Sequence, residues 1–236
     1  MGTPLAIFCH WRSGSSLLAR VLNLCGMETG DAFTFWDASC EPQCEHSVLN
    51  TVGNRIHRNE ETANDIDKAV EVLIRYKKQA VEKNWDVYGV KFTHILQPRC
   101  WEILSPIFKT VWPDAKYIIQ VRHPLGIIMS MEKAKAALLE VPESWITADE
   151  IVASWISTMD ATREIAQAGG IIMLYPDVFL SGKIKAVVRK LGLRWSKKAE
   201  VFDKKEFSTY TEYELTKFKR LYPEAQTLFE EIENYV

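Results

Sequence analysis

A short string near the start of the chain, Cys9-His10-Trp11-Arg12-Ser13-Gly14-Ser15-Ser16-Leu17, carries the residue types needed to cradle an anion. It follows the apolar run Pro4-Leu5-Ala6-Ile7-Phe8, so it reads as a buried strand breaking into a small hydroxylated loop that opens a helix. A helix N-terminus offers unpaired N–H groups and about half a positive charge, and Ser and Gly let an anion come close. Arg12 adds a formal charge to that nest. The string is also compatible with a plain strand-to-helix turn whose serines only cap the helix. A triphosphate-binding loop ends in Gly-Lys-Ser/Thr, whereas here Ser15 follows Gly14 and the basic residue precedes the glycine.

A second constellation lies downstream, in Val121-Arg122-His123-Pro124-Leu125-Gly126-Ile127-Ile128-Met129-Ser130. Arg122 ends a predicted strand, where open α/β sheets place their ligands, and Ser130 follows eight residues later on a predicted helix. An arginine and a hydroxyl converging there suit a second phosphate; taken singly, they also read as a surface ion pair and a solvent-facing serine. A ligand with phosphates at both ends of a nucleoside needs two such sites.

Arg-Ser-Gly-Ser-Ser-Leu-Leu after an N-terminal strand resembles the 5′-phosphosulfate loop of the P-loop sulfotransferases, whose donor is 3′-phosphoadenosine 5′-phosphosulfate (PAPS). The chain is most similar in feel to the bacterial, phage and carbohydrate-type members. The resemblance implies that Arg12, Ser13, Gly14, Ser15 and Ser16 hold the phosphosulfate, and that Arg122 and Ser130 match the family's 3′-phosphate motif at its own spacing. It continues more weakly through Trp155, Leu174-Tyr175-Pro176-Asp177 and Leu191-Gly192-Leu193, covering most of the first ~195 residues. Family members often carry Gly or Pro before the basic residue, and this chain departs from them with Cys9 and Trp11. The implied fold is α/β, a P-loop-type three-layer architecture with a central, mainly parallel sheet of about four or five strands flanked by helices.

The implied reaction passes a sulfuryl group from PAPS to a hydroxyl of a glycan or small metabolite, releases adenosine 3′,5′-bisphosphate (PAP) and needs no metal. Such a transfer is mostly positioning and charge stabilisation, a role suited to Arg12 and the loop amides, plus a general base for the acceptor proton. Three residues are candidates for the base. Glu45, in Cys40-Glu41-Pro42-Gln43-Cys44-Glu45-His46, matches in order the region where many family members place a catalytic Glu; Glu41 precedes it; His94 follows the second strand in Lys91-Phe92-Thr93-His94. Lys91 could point from its strand end at the sulfuryl oxygens or be an ordinary exposed lysine. Phe33, Phe35, Trp36 and Trp101 could stack on a sugar or on adenine, or simply pack. Two rivals stand beside this reading: a nucleotide kinase-like enzyme, which would want a Lys after Gly14 and a carboxylate for Mg²⁺, and a non-catalytic nucleotide-binding or scaffold protein on the same fold.

The elements that must position these residues follow from periodicity. Helices are predicted at about 14–25, 60–83 (with Ile66, Val70, Leu73, Ile74 and Val81 on one side), 101–110 (broken near Pro106 and Pro113), 125–139, 147–168 (opened by the capping box Thr147-Ala-Asp-Glu150), 180–191 and 210–234. Strands are predicted at Val87–Lys91, Lys116–Val121 and Gly170–Tyr175, and the alternation implies a parallel sheet. Residues from about 27 to 59 read as an irregular insertion on the substrate side. The 236 residues, 47% hydrophobic, suit a single domain, and a net charge of −2 argues against gripping nucleic acid by bulk charge. No run approaches the roughly 18 to 20 apolar residues of a membrane span. Five cysteines and no signal-like start suggest a cytoplasmic protein with free thiols. Cys40, Cys44 and His46 lack the second pair a zinc site would need.

Overall fold

A computed structural model describes residues 2–29, 46–136, 146–200 and 210–236. In chain order the elements are β1 (Thr3–Cys9), α1 (Ser15–Leu24), α2 (Ser47–His57), α3 (Ala63–Glu82), β2 (Val87–Phe92), α4 (Pro98–Val111), β3 (Lys116–Arg122), α5 (Pro124–Ala136), α6 (Ala148–Ser157), α7 (Met159–Gln167), β4 (Ile171–Tyr175), α8 (Asp177–Leu180), α9 (Ile184–Lys190), α10 (Glu212–Leu221) and α11 (Pro223–Glu233). The four strands form one parallel sheet in the order β2-β1-β3-β4. This is the α/β class expected from the alternation of strands and helices.

Strand alternation sorts the apolar side chains onto two faces. Leu5 and Ile7 of β1, Ile118 of β3 and Met173 of β4 meet Leu18, Val21 and Leu22 of α1 and Ile184 and Val188 of α9. Ala6 and Phe8, Ile119 and Val121, and Ile172 and Leu174 point the other way, onto a larger cluster fed by α2, α3, α4, α6, α7 and α11. Helices on both faces of a parallel sheet give three layers. From β1 the chain moves outward to β2, then crosses back over β1 to β3. The crevice beyond the C-terminal ends of β1 and β3 is therefore the switch point where such sheets bind ligands.

Several expectations need correction. Residues 27–59 are not irregular throughout, because Leu49, Val52, Gly53 and Ile56 are the buried stripe of α2. Asn50, Thr51 and Asn54 dilute that stripe, and a mid-helix glycine hides it further. On α3 the buried face is Ala69, Val72, Leu73, Tyr76 and Ala80, while Ile74 and Val81 are 52% and 55% exposed. Pro106 does not break α4; it lies on the exposed side, where the carbonyl it frees can reach water.

Two long helices are each divided. Between α6 and α7, Ser157 Oγ donates to the Ser154 carbonyl at 2.7 Å and Thr158 Oγ1 to the Trp155 carbonyl at 2.7 Å, competing with the backbone ladder. Between α10 and α11, Pro223 bars its predecessor from helical geometry, and Tyr222 sits at φ −133°, ψ 60°. The capping boxes at Thr62, Thr147 and Thr211 are all formed. Among the described residues, no helix is long and apolar enough to cross a membrane.

Burial lowers the pKa of three histidines, His10, His46 and His123, and makes stability depend on pH, with the larger shifts at the first two. Burial, with Arg75 adding to it at His46, pushes the imidazoles of His10 and His46 down to about 4. Unfolded, each titrates near 6.5, so between those values the unfolded chain holds more protons and stability falls as pH falls. At pH 5 the expected loss is about 2 kcal/mol for each of these two relative to pH 7.5. Urea midpoints across that range check this, and a flat profile contradicts it.

Candidate functional site

The loop after β1 turns sharply. Arg12 has φ 60° and Gly14 has φ 82°, both left-handed, which is costly for arginine and easy for glycine. Gly14 is the residue before α1, and no side chain caps that helix. The serines of the loop are therefore not spent on capping, and the first turn of α1, which carries no acidic residue, presents its N–H groups uncapped. A Cβ on Gly14 would lie 2.4 Å from the Tyr175 ring, so only glycine fits between the loop and the end of β4.

The loop opens into a cleft of about 680 Å³ shared by Arg12, Ser15, Ser16, Lys91, His94, Arg122, Ser130 and Tyr175. The two constellations, more than a hundred residues apart in the chain, thus meet in one cavity. Arg12 spans it, donating from Nε to Ser130 Oγ at 3.2 Å and from a terminal nitrogen to the Ser130 carbonyl at 3.3 Å. Arg122 donates to the Arg12 carbonyl at 2.9 Å and lies 5.1 Å from the centre of the Tyr175 ring. Its strand end is fixed by Trp155, whose indole N–H donates to the Arg122 carbonyl at 3.1 Å. Ser130 contacts Arg12 rather than pairing directly with Arg122.

Arg122 is buried, and that burial chiefly pushes its pKa down; the neighbouring Arg12 acts the same way, while Tyr175 opposes both. Lys91, only 3% exposed, donates to Ser16 Oγ at 2.9 Å. It is not the exposed strand-end lysine that sequence also allowed. Three cations therefore face the cleft, and no Asp or Glu is among its described lining residues. Lys91 and Arg122 are buried while Arg12 is exposed, and holding two like charges out of water is costly unless an anion joins them. Ser13, expected from the sequence to help hold the anion, is fully buried and does not line the cleft; its hydroxyl is without a hydrogen-bond partner among the described residues. Uncapped N–H groups and clustered cations fit a polyanionic ligand such as PAPS, with Arg12, Lys91, Arg122 and the loop to hold it.

The expected base residues divide. His94 lines the cleft, in the turn just after β2, and its ring stacks on His57 of α2 at 5.9 Å and 28°. Glu41 and Glu45 lie outside the described residues, as do Phe33, Phe35, Trp36, Cys40 and Cys44. Trp101 packs instead: it meets Phe8 edge-on at 6.1 Å and donates to Glu164 at 2.7 Å. Sequence reasoning missed Asn50 and Asn54, which reach the cleft from α2. Their four-residue spacing, which puts them on one helix face, was the available signal. Tyr175 also went unassigned, because its place beside Gly14 depends on strand order.

No protein-family model matches the chain, and no curated protein matches it. Among solved structures it is similar to a sulfotransferase domain from the Synechococcus PCC 7002 olefin synthase, at 17% identity and TM-score 0.48, covering 88% of this chain and 81% of that one. It is similar to the sulfotransferase domain from the curacin biosynthetic pathway at 16% identity and TM-score 0.49, covering 84% and 77%. The sulfotransferase STF1 from Mycobacterium tuberculosis H37Rv is similar at 13% identity and TM-score 0.49, covering 92% and 76%. Likeness at that level concerns the fold alone.

Proposed function

We propose that this chain is a PAPS-dependent sulfotransferase acting on a hydroxyl of a glycan or small metabolite. The observation that carries the reading is the single cleft in which the Arg12–Ser16 loop, Lys91 and Arg122 converge without a described carboxylate. Two separated anionic ends of one donor would be held by the loop with the N-terminus of α1 and by Arg122 with its neighbours.

In the transfer, the sulfur–oxygen bond to the 5′-phosphate breaks as a bond from sulfur to the acceptor oxygen forms. PAP leaves, and the acceptor proton passes to a base. Arg12 and Lys91 would stabilise negative charge gathering on the bridging and departing oxygens. His94 is the base candidate that lines the cleft among the described residues; Glu45 and Glu41 remain proposals from the sequence.

Calorimetric titration with PAP and, separately, with ATP and Mg²⁺ tests the reading. The expected result is PAP binding that Arg122→Ala weakens about 100-fold, the loss of two charge-assisted contacts. Preference for Mg-ATP would defeat the proposal in favour of a kinase-like enzyme. Transfer from labelled PAPS to a panel of hydroxyl acceptors separates enzyme from scaffold, and comparing Glu45→Gln, Glu41→Gln and His94→Asn assigns the base as the variant that binds PAP but does not turn over.

A further inference from the structure

Three successive carbonyls of the loop are each held by a different side chain. The Trp11 carbonyl accepts from His10 Nδ1 at 2.9 Å, that of Arg12 from Arg122 at 2.9 Å, and that of Ser13 from Gln120 Nε2 at 2.8 Å. In a trans peptide the N–H points opposite to the C=O. Fixing the Trp11 and Ser13 carbonyls on buried His10 and Gln120 therefore turns the Arg12 and Gly14 N–H groups away from the interior. An anion-binding nest needs its N–H groups turned outward in this way.

Of the three, only Arg122 is used by the chemistry proposed above; His10 sits in a chain of directed hydrogen bonds. A carbonyl oxygen can only accept, so Nδ1 carries the proton and Nε2 is bare. Ser154 Oγ lies 3.1 Å from Nε2 and itself accepts from Gln97 Nε2 at 3.0 Å, leaving its own proton to donate to the imidazole. The same Gln97 amide also donates to the Ser154 carbonyl at 3.4 Å, which orients it. The ring also lies against Trp11, with centroids 4.5 Å apart, and Trp11 lines the cleft.

We infer that His10 is a positioning residue of the anion loop, a neutral Nδ1–H imidazole locked by Ser154 and Gln97 that fixes the Trp11–Arg12 peptide. It thereby helps hold Arg12 in its left-handed conformation, where the side chain reaches Ser130. Burial keeps the ring neutral well below physiological pH, in accord with that role. The identity of the anion rests on the sulfotransferase reading; the role of His10 in shaping the loop does not.

The test compares wild type, His10→Ala and His10→Asn, because an Asn amide can donate from near the place of Nδ1. His10→Ala is expected to weaken PAP binding about tenfold, the equivalent of one lost loop hydrogen bond, while His10→Asn stays within about threefold of wild type. Denaturant midpoints measured alongside separate this from simple destabilisation: equal losses of stability in both variants with unchanged affinity would overturn the inference. Imidazole ¹⁵N shifts of the wild-type protein must show the Nδ1–H tautomer, and the Nε2–H form would refute it without any variant. Should wild type fail to bind PAP, the sulfotransferase reading falls. The same series titrated with inorganic pyrophosphate, together with the tautomer, then decides the role of His10.

Discussion

Arg12→Ala is expected to lower the proposed sulfuryl transfer about 100- to 1,000-fold, the usual cost of removing one preorganised donor from developing charge. The side chain lies across the cleft on Ser130, between the loop and the helix that follows Arg122. From there a guanidinium can follow negative charge as it shifts to the departing phosphate, an interaction strongest in the transition state. Turnover and kcat/KM should therefore fall together, whereas a rise in KM alone would mean that Arg12 only binds the donor. Arg12→Lys should recover part of the rate, since it restores charge but not the planar fork that engages both oxygens of Ser130.

The backbone of Arg12 gives this prediction a second arm. At φ 60° a non-glycine residue is strained, and strain of this kind costs about 1–3 kcal/mol. Arg12→Gly removes that strain but adds freedom to the unfolded chain, so stability should stay level or rise by up to about 1 kcal/mol. Activity should be lost all the same. A protein made no less stable by losing its arginine keeps that residue for the cleft. A clear drop in the denaturation midpoint of Arg12→Gly would show instead that the side chain mainly holds the fold.

The sequence was most legible where local rules act alone. Apolar runs with turn signals located the four strands, and Thr147 with Glu150 announced the start of α6. Legibility failed where a neighbour decides the outcome. The buried face of α3 is built on Ala69, Tyr76 and Ala80, weak markers beside the larger Ile74 and Val81 that end up in water. Helix α2 escaped because its stripe is interrupted by Gly53, whose lack of a side chain lets Phe92 approach.

The cleft shows the same division. Arg12, Ser16, Lys91, Arg122 and Ser130 were marked by type and spacing, and the structure brings all of them to one cavity. Nothing local could say that Ser130 would engage Arg12 or that Lys91 would reach Ser16. Those contacts come from placing β1 between β2 and β3, a consequence of strand order. Tyr175 and His10 belong to the same class, because each matters through what the sheet sets beside it.

Gly14→Ala carries the other large expected effect, because it strikes both ends of the cleft at once. Gly14 lies at φ 82°, and a methyl group there would meet three atoms of the Tyr175 ring at 2.4 to 2.8 Å. Left-handed strain and overpacking together should cost about 2–4 kcal/mol of stability. The ring cannot stay in place, and it is the aromatic face against which Arg122 rests, so the Arg122 side of the cleft is disturbed by a change in the loop. Affinity for PAP should fall about 100-fold, more than loss of a single loop contact would give. Tyr175→Ala tests the route: it removes the collision but not the backbone strain, so the double variant should bind better than the two single losses predict when added. Full additivity would mean that the loop and Arg122 act independently, and Gly14→Ala binding PAP like wild type would exclude the loop from the anion site altogether.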